Sequence, residues 1–414
     1  VTNGPASSGT HDIRGGSVPA SAPARDTSDG GTLHSDVVIV GAGIGGSFLA
    51  LLLGRRGLRV TVVERAERIA THGADFLKPR GIRLLSEQGL LPELLSRGAL
   101  RRDTISYYHD GDLLQDYSYL DHTGLGYFLI LPYQEIVTPI VERAQRLPNV
   151  DFAFSTTIAA VETRPPACRD GESGGEEFAD IAAVVLSDGR RLNTRAVVDA
   201  GGPSSPVRAF VGAQQESHGY EHEVRMATIP VTPSIAERNR MYFDSTGWFA
   251  YFYPVDAEQA RVFVGVPRHE HAAVFEEHTE KLTERLRGFV TDSADALDAL
   301  DPATFLRAPV KALRTAHYHR GNVALLGGTA FSCHPMTGQG MSYTLEDASL
   351  LAELIARSAA DGGPELESLL AAEYEPRREV HGRLVDYGDD LAGSYPNRAL
   401  YQKSFRPGIH GGDV

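Results

Sequence analysis

The sequence predicts an α/β protein. It should have a Rossmann-like domain with a parallel sheet and a β-meander, an α+β domain with a mostly antiparallel sheet, and C-terminal helices. Three observations predict this. The apolar strand DVVIV (36–40) runs into the turn GAGIGG, a helix-spaced SFLALLLGRRG and a second strand LRVTVVE, which together make a βαβ unit. Residues 151–200 hold short strands separated by turns, the pattern of a meander covering one face of such a sheet. Residues 222–268 hold longer aromatic strands, MYFDSTGWFAYFYPV and ARVFVGVP among them, which suit a separate sheet.

Taken in order, residues 1–35 are dense in Gly, Ser, Pro, Ala and Thr with no apolar block, and read as a disordered leader, with order beginning at Asp36. Near residues 75–98, helical apolar spacing is broken by Gly89 and Pro92, which predicts short helices. ISYYHDGDLLQDYSYL (105–120) predicts a hairpin turning at His109 to Asp112, and YQEIVTPIVERAQRL (133–147) a helix. In the meander, DFAFSTTIAAVET precedes a polar loop (164–178), then IAAVVLSDGRRL with its turn at Asp188 and Gly189, then AVVDA. Residues 271–298 look helical. After the strand NVALLGG (322–328), apolar positions at 341, 345, 348, 351 and 355 predict a long helix, with more helix to about 390.

Composition narrows the function. With 40 Lys and Arg against 54 Asp and Glu the net charge is -14, which repels a nucleic-acid backbone. The longest apolar run, FLALLLG at 48–54, is far shorter than a membrane span, and no secretory signal is evident. Two cysteines 165 positions apart, Cys168 and Cys333, suit a reducing compartment, so a soluble cytoplasmic protein, monomer or homodimer, is expected. No GxSxG elbow supports a hydrolase, and His317 and His319 have no acidic neighbour in sequence to suggest a metal site.

Gly41, Gly43 and Gly46 form GxGxxG between strand and helix, with Ile44 and Gly45 inside the turn. The first Gly permits the tight turn, the second admits a pyrophosphate to the backbone, and the third lets helix and strand pack closely. Glu64, 18 residues after Gly46 at the tip of the second strand, is placed to accept ribose hydroxyls, with Arg65 beside it. This loop alone does not separate NAD from FAD.

Four further stretches decide between them: PRGIRLLSEQGL with Arg80, Gln134 ahead of a helix, AGGPSSPVR (200–208), and GGTAFSCHPMTGQG (327–340), followed by AEYEPRREV (372–380). With the dinucleotide loop they resemble the class A flavoprotein monooxygenases, the family of the p-hydroxybenzoate hydroxylase fold, over about residues 36–380. The resemblance implies a discontinuous FAD-binding domain (36–104, 131–220 and 305–360), a substrate domain (105–130 and 221–304) and a C-terminal helical segment (361–414). It places Arg80 and Gln134 near the ribityl and phosphate part of FAD, Pro335 beside the reactive edge of the flavin, and Gly338, Gln339, Gly340 and Met341 at its pyrimidine side. Where the family's loops carry an acid, this chain has Gly201 and Gly328, and Phe331 stands in place of a histidine. Gly202, Thr329 and Asp199 are the residues left to shape those loops.

The implied chemistry is a monooxygenase, a hydroxylase or epoxidase. NADPH or NADH reduces FAD, dioxygen adds to it, and the flavin hydroperoxide passes one oxygen atom to an aromatic, polyketide or quinone-like molecule of secondary metabolism. No metal is needed. His334 is the candidate acid or base beside the flavin, and Cys333 reads as a small buried thiol. Tyr242, Trp248, Tyr251 and Tyr253 are candidates for the substrate pocket, with strand alternation sending one set to a cavity and the other to the far side. Three rival readings share the fold: a flavin reductase or desaturase, a halogenase, whose WxWxIP motif this single-tryptophan chain lacks, and a binding protein that has lost its chemistry.

Overall fold

The computed structural model describes residues 32–69, 75–163, 180–205, 207–212, 214–277 and 280–404. The leader expected over 1–35 lies outside these apart from its end, and so does the polar loop predicted at 164–178. Order begins earlier than Asp36. Thr32–His34 is a strand that pairs in parallel with Arg191–Asn193 at the edge of the meander.

The parallel sheet has the order His319–Arg320, Val323–Leu325, Ala196–Asp199, Val37–Val40, Val60–Val63 and Val150–Ala153, antiparallel only at its His319 edge. Both of its faces are covered, so its strands are continuous apolar runs with no alternation. Helix Ile44–Arg55 packs on it and in turn supports helix Tyr133–Gln145 and helix Gly340–Ala359. Val150–Ala153 belongs to this sheet, a correction to its reading as part of the meander. The meander itself is Ile158–Thr163, Ile181–Leu186 and Arg191–Asn193.

The second sheet has seven strands, in the order Leu306–Ala308, His222–Pro230, Gln259–Pro267, Phe249–Pro254, Asn239–Phe243, Thr104–His109 and Asp112–Ser118. Every pairing is antiparallel except Asn239–Phe243 with Thr104–His109. The predicted hairpin is its outer edge. Near residue 75 the short strand Phe76–Leu77 precedes the two expected helices, Pro79–Glu87 and Leu91–Ser96.

Helix continues past 390: Arg377–Ser394 is followed by Arg398–Ser404. Tyr395 and Tyr401 insert into the aromatic core that contains Phe249, Tyr251 and Tyr253 on one face of the second sheet, with ring centroids 4.8 Å and 4.3 Å from Phe243. At the start of this segment Glu375 lies 2.9 Å from His319 Nδ1 and 3.7 Å from His317 Nδ1, an acidic partner that lies 56 residues from His319 in sequence.

Candidate functional site

Helix Ile44–Arg55 starts at Gly43, and the glycines before it have separate jobs. Gly41 takes φ +97°, and a Cβ there would lie 2.5 Å from Ala200 O, so this turn passes directly over the end of the next strand. A Cβ on Gly46 would lie 2.0 Å from Gly41 O. Glu64 caps the arrangement: its Oε2 accepts from Ala42 N at 2.8 Å and its Oε1 from Ala66 N at 2.9 Å. Arg65 beside it is exposed. Tyr133 supplies a contact not expected from the sequence, since Ile44 N donates to its Oη at 3.1 Å, while Gln134 next to it is half-buried.

A cavity of about 360 Å³ opens from this loop at Ile44, Tyr133 and Gly328 and runs along the turn that carries Pro335, Gly338, Gly340 and Met341. Gly338 is left-handed at φ +63°, and Gln339 caps helix Gly340–Ala359. The far wall is the second sheet. Phe249, Tyr251 and Tyr253 lie two apart on the strand and face the cavity together. Tyr251 Oη accepts from Asn239 Nδ2 at 3.1 Å, and Tyr253 Oη donates to Asp75 Oδ2 at 3.2 Å, where Arg261 Nε also donates. Burial raises the Asp75 carboxyl above its ordinary range, with Arg261 opposing the shift.

Three expectations, for Tyr242, Trp248 and His334, need correction. Tyr242 and Trp248 are on the other face of the sheet, in a core with Phe252 and Leu286. Tyr242 Oη bonds Asp292 and Ser293 there, and Trp248 lies under the Arg285 guanidinium. Arg80 is tied to Glu346 at 2.6 Å and does not line the cavity, so its charge braces helix Gly340–Ala359. His334 is fully buried behind the turn. Its Nδ1 accepts from Met336 N at 3.3 Å, which leaves the proton on Nε2 to donate to His222 Nε2 at 2.9 Å. It braces Pro335 and gives no acid or base to the cavity. Cys333 lines the cavity as a thiol whose pKa burial pushes up to about 11.

This histidine pair carries a pH prediction. Burial lowers His222 to about 4 from the ordinary 6.5 of a histidine and lowers His334 well below 6.5, so the folded protein excludes protons that the unfolded chain binds below 6.5. Stability is full above that value and falls as pH drops, for His222 by on the order of 2 kcal/mol at pH 5. Urea unfolding at pH 7 and 5 measures it, and His222→Gln should flatten the difference.

The two loops that lack the family's acids touch each other. Gly202 N donates to Thr329 Oγ1 at 2.9 Å, and a Cβ on Gly328 would lie 3.3 Å from Pro203 Cδ. A Cβ on Gly201 would lie 3.2 Å from Asp199 Oδ1, which already accepts from Gly201 N at 3.0 Å. Asp199 is fully buried and serves as the brace of its turn. Acids at these positions would crowd a closed contact, so Gly328→Asp is expected to leave FAD affinity unchanged or weaker. Flavin fluorescence titration checks this, and tighter binding would show that the acid was merely missing.

The site fits FAD on its own geometry. A glycine-surfaced helix start stands beside a fixed carboxylate, Gly202 and Gly340 each have open space where a side chain would stand, and the cavity joins the two loops. Asp75, Lys78, Phe76 and Met241 in its wall were not singled out by sequence reading. The family described as FAD binding domain matches residues 34–387. Among curated proteins, the chain is 26% identical over 322 residues to 6-methylpretetramide 4-monooxygenase of Streptomyces rimosus, covering 76% of this chain and 73% of that one. It is 27% identical over 386 residues to kynurenine 3-monooxygenase of Salinispora tropica, covering 83% and 76%. The crystal structure of P. aeruginosa PqsL in complex with 2-aminobenzoylacetate superposes with a TM-score of 0.82 at 38% identity, over 90% of this chain and 99% of that one. The chain belongs to the FAD-binding monooxygenases, the class A flavoproteins of the p-hydroxybenzoate hydroxylase fold.

Proposed function

We propose that this enzyme inserts one oxygen atom from dioxygen into an aromatic, polyketide or quinone-like small molecule, with NADH or NADPH, the family's usual reductant, as electron source. One observation carries the reading: a single cavity runs from the Pro335 turn to a wall of Phe249, Tyr251 and Tyr253. Bound FAD supplies the activation of dioxygen. Gly41, Gly43 and the start of helix Ile44–Arg55 would hold its diphosphate, Glu64 its ribose, and the turn from Pro335 to Met341 its ring.

The chain does the rest. Phe76 stacks on Tyr251 at 5.7 Å and meets Tyr253 edge-on at 4.6 Å, which fixes the aromatic wall against which a flat substrate lies. The mostly apolar lining keeps water from the reacting atoms. Asp75 holds the Tyr253 phenol through Oδ2 and is itself held by Arg261. The relatives support an aromatic substrate, since PqsL was crystallised with 2-aminobenzoylacetate.

The test is an absorbance spectrum of the purified protein with FAD, then NADH and NADPH oxidation with and without aromatic compounds. At least one compound should speed oxidation and emerge carrying one more oxygen atom. Failure to bind FAD at saturation, or oxidation that yields only hydrogen peroxide with every compound, would sink the proposal.

A further inference from the structure

We propose that Lys78 is the anchor for an anionic oxygen of the substrate, so that the cavity selects aromatic carboxylates over neutral aromatics of the same shape. The inference rests on the function proposed above and adds to it the charge of the substrate.

Lys78 lines the cavity at the residue before helix Pro79–Glu87 and is only 5% exposed. Its ammonium has three donors. One goes to Tyr119 Oη, and the rings of Tyr119 and Phe128 lie 4.8 Å and 5.7 Å from Nζ. Among the described residues no carboxylate pairs with it, because Asp75, the acid of the same wall, is held by Arg261 and Tyr253. On its other side is the flavin turn: a Cβ on Gly338 would lie 2.7 Å from Lys78 Cε and 3.4 Å from Nζ. A cation therefore stands in an apolar chamber, against the turn that receives the cofactor ring, with donors to spare and no counter-charge.

A buried charge of this kind is costly until it is paired. Burial pushes the Lys78 pKa down to about 7, so near neutrality the amine is poised between its two forms. An entering anion restores the missing partner and draws the proton back onto Nζ, while a neutral molecule offers no such gain. The other titratable groups around it are Asp75 and the phenols of Tyr107, Tyr119, Tyr251 and Tyr253. Burial raises Asp75 and holds the four phenols protonated.

The experiment titrates the FAD-loaded protein with benzoate, cinnamate and 2-aminobenzoate, each beside its methyl ester, and follows the flavin absorbance at pH 6, 7 and 8.5. The acids stay ionised and the esters neutral over this range, so the pH dependence reports the protein. At pH 6 at least one acid should bind about tenfold or more tightly than its ester, the gain of one charge-assisted contact. The preference should shrink as pH rises through the lysine's titration, disappear in Lys78→Met, and survive in part in Lys78→Arg.

Esters binding as tightly as acids at every pH would overturn the assignment and leave the proposed function standing. A preference unchanged in Lys78→Met would also overturn it, and a lowered reduction potential of bound FAD in that variant would then give the ammonium to the cofactor. Should Lys78→Met fail to fold, the wild-type pH series and Lys78→Arg decide. Silence from acids and esters alike would overturn the assignment of Lys78 and leave the proposed function to the oxidation assay.

Discussion

Gly46→Ala is expected to cost about 3 kcal/mol of stability and to abolish tight FAD binding. The added methyl would lie 2.0 Å from the Gly41 carbonyl oxygen, a backbone atom with no rotamer to retreat into. Gly41 is itself constrained, because its turn passes over Ala200 and Gly201. Relief must come from sliding helix Ile44–Arg55 off its strand, and that moves the helix start away from the diphosphate. Thermal unfolding and a fluorescence titration with FAD read the two consequences together. Gly393→Ala is the control: that exposed helical glycine has open space around it, so alanine there should be neutral or slightly stabilising. Equal stability of the two variants would refute the packing argument.

Asp347→Ala is expected to lose about 3 to 5 kcal/mol, because it breaks a buried charge network from one side. Asp347 is fully buried on helix Gly340–Ala359, with Arg377 Nε at 2.7 Å from Oδ1 and His381 Nε2 at 3.1 Å from Oδ2. Arg377 also reaches Glu346 at 3.1 Å, and Glu346 holds Arg80. Removing the carboxylate leaves the mostly buried guanidinium sharing Glu346 with Arg80, whereas removing Asp347 and Arg377 together leaves Glu346 paired with Arg80. Asp347→Leu combined with Arg377→Met should therefore be much closer to wild type than Asp347→Ala. Denaturant unfolding of the two singles and the double measures the coupling, and strictly additive losses would contradict the network. Since the helix starts at the flavin turn, FAD affinity should fall with Asp347→Ala as well.

What was legible in the sequence follows from how far each signal reaches along the chain. Gly41, Gly46 and Glu64 were readable because strand, turn, helix and acid are contiguous, and the physics of the turn is local. Alternation in FAYFYP showed that Tyr251 and Tyr253 share a face, but not which face meets the cavity, so Tyr242 and Trp248 were indistinguishable from them. His334 looked reactive beside Pro335 because its partner His222 lies 112 residues away and gives no local sign. The ion pair of Arg80 was hidden for the same reason, its Glu346 being 266 residues distant. Lys78 was hidden differently: a lysine before a proline at a helix start reads as a solvated residue, and only the packing of Tyr119, Phe128 and Gly338 around it shows a buried one.

The insertion of Tyr395 and Tyr401 on the cavity side of the second sheet bears on how the enzyme is made. The rings that pack on Phe243 and Phe249 leave the ribosome well after those strands, so the aromatic core that flanks the reaction chamber is incomplete until they have been made. Oxygen chemistry in a half-built chamber would be chemistry open to water. The order of the chain thus delays a closed active site until helices Arg377–Ser394 and Arg398–Ser404 have docked, and a nascent protein holding FAD early does so without a room in which to use it.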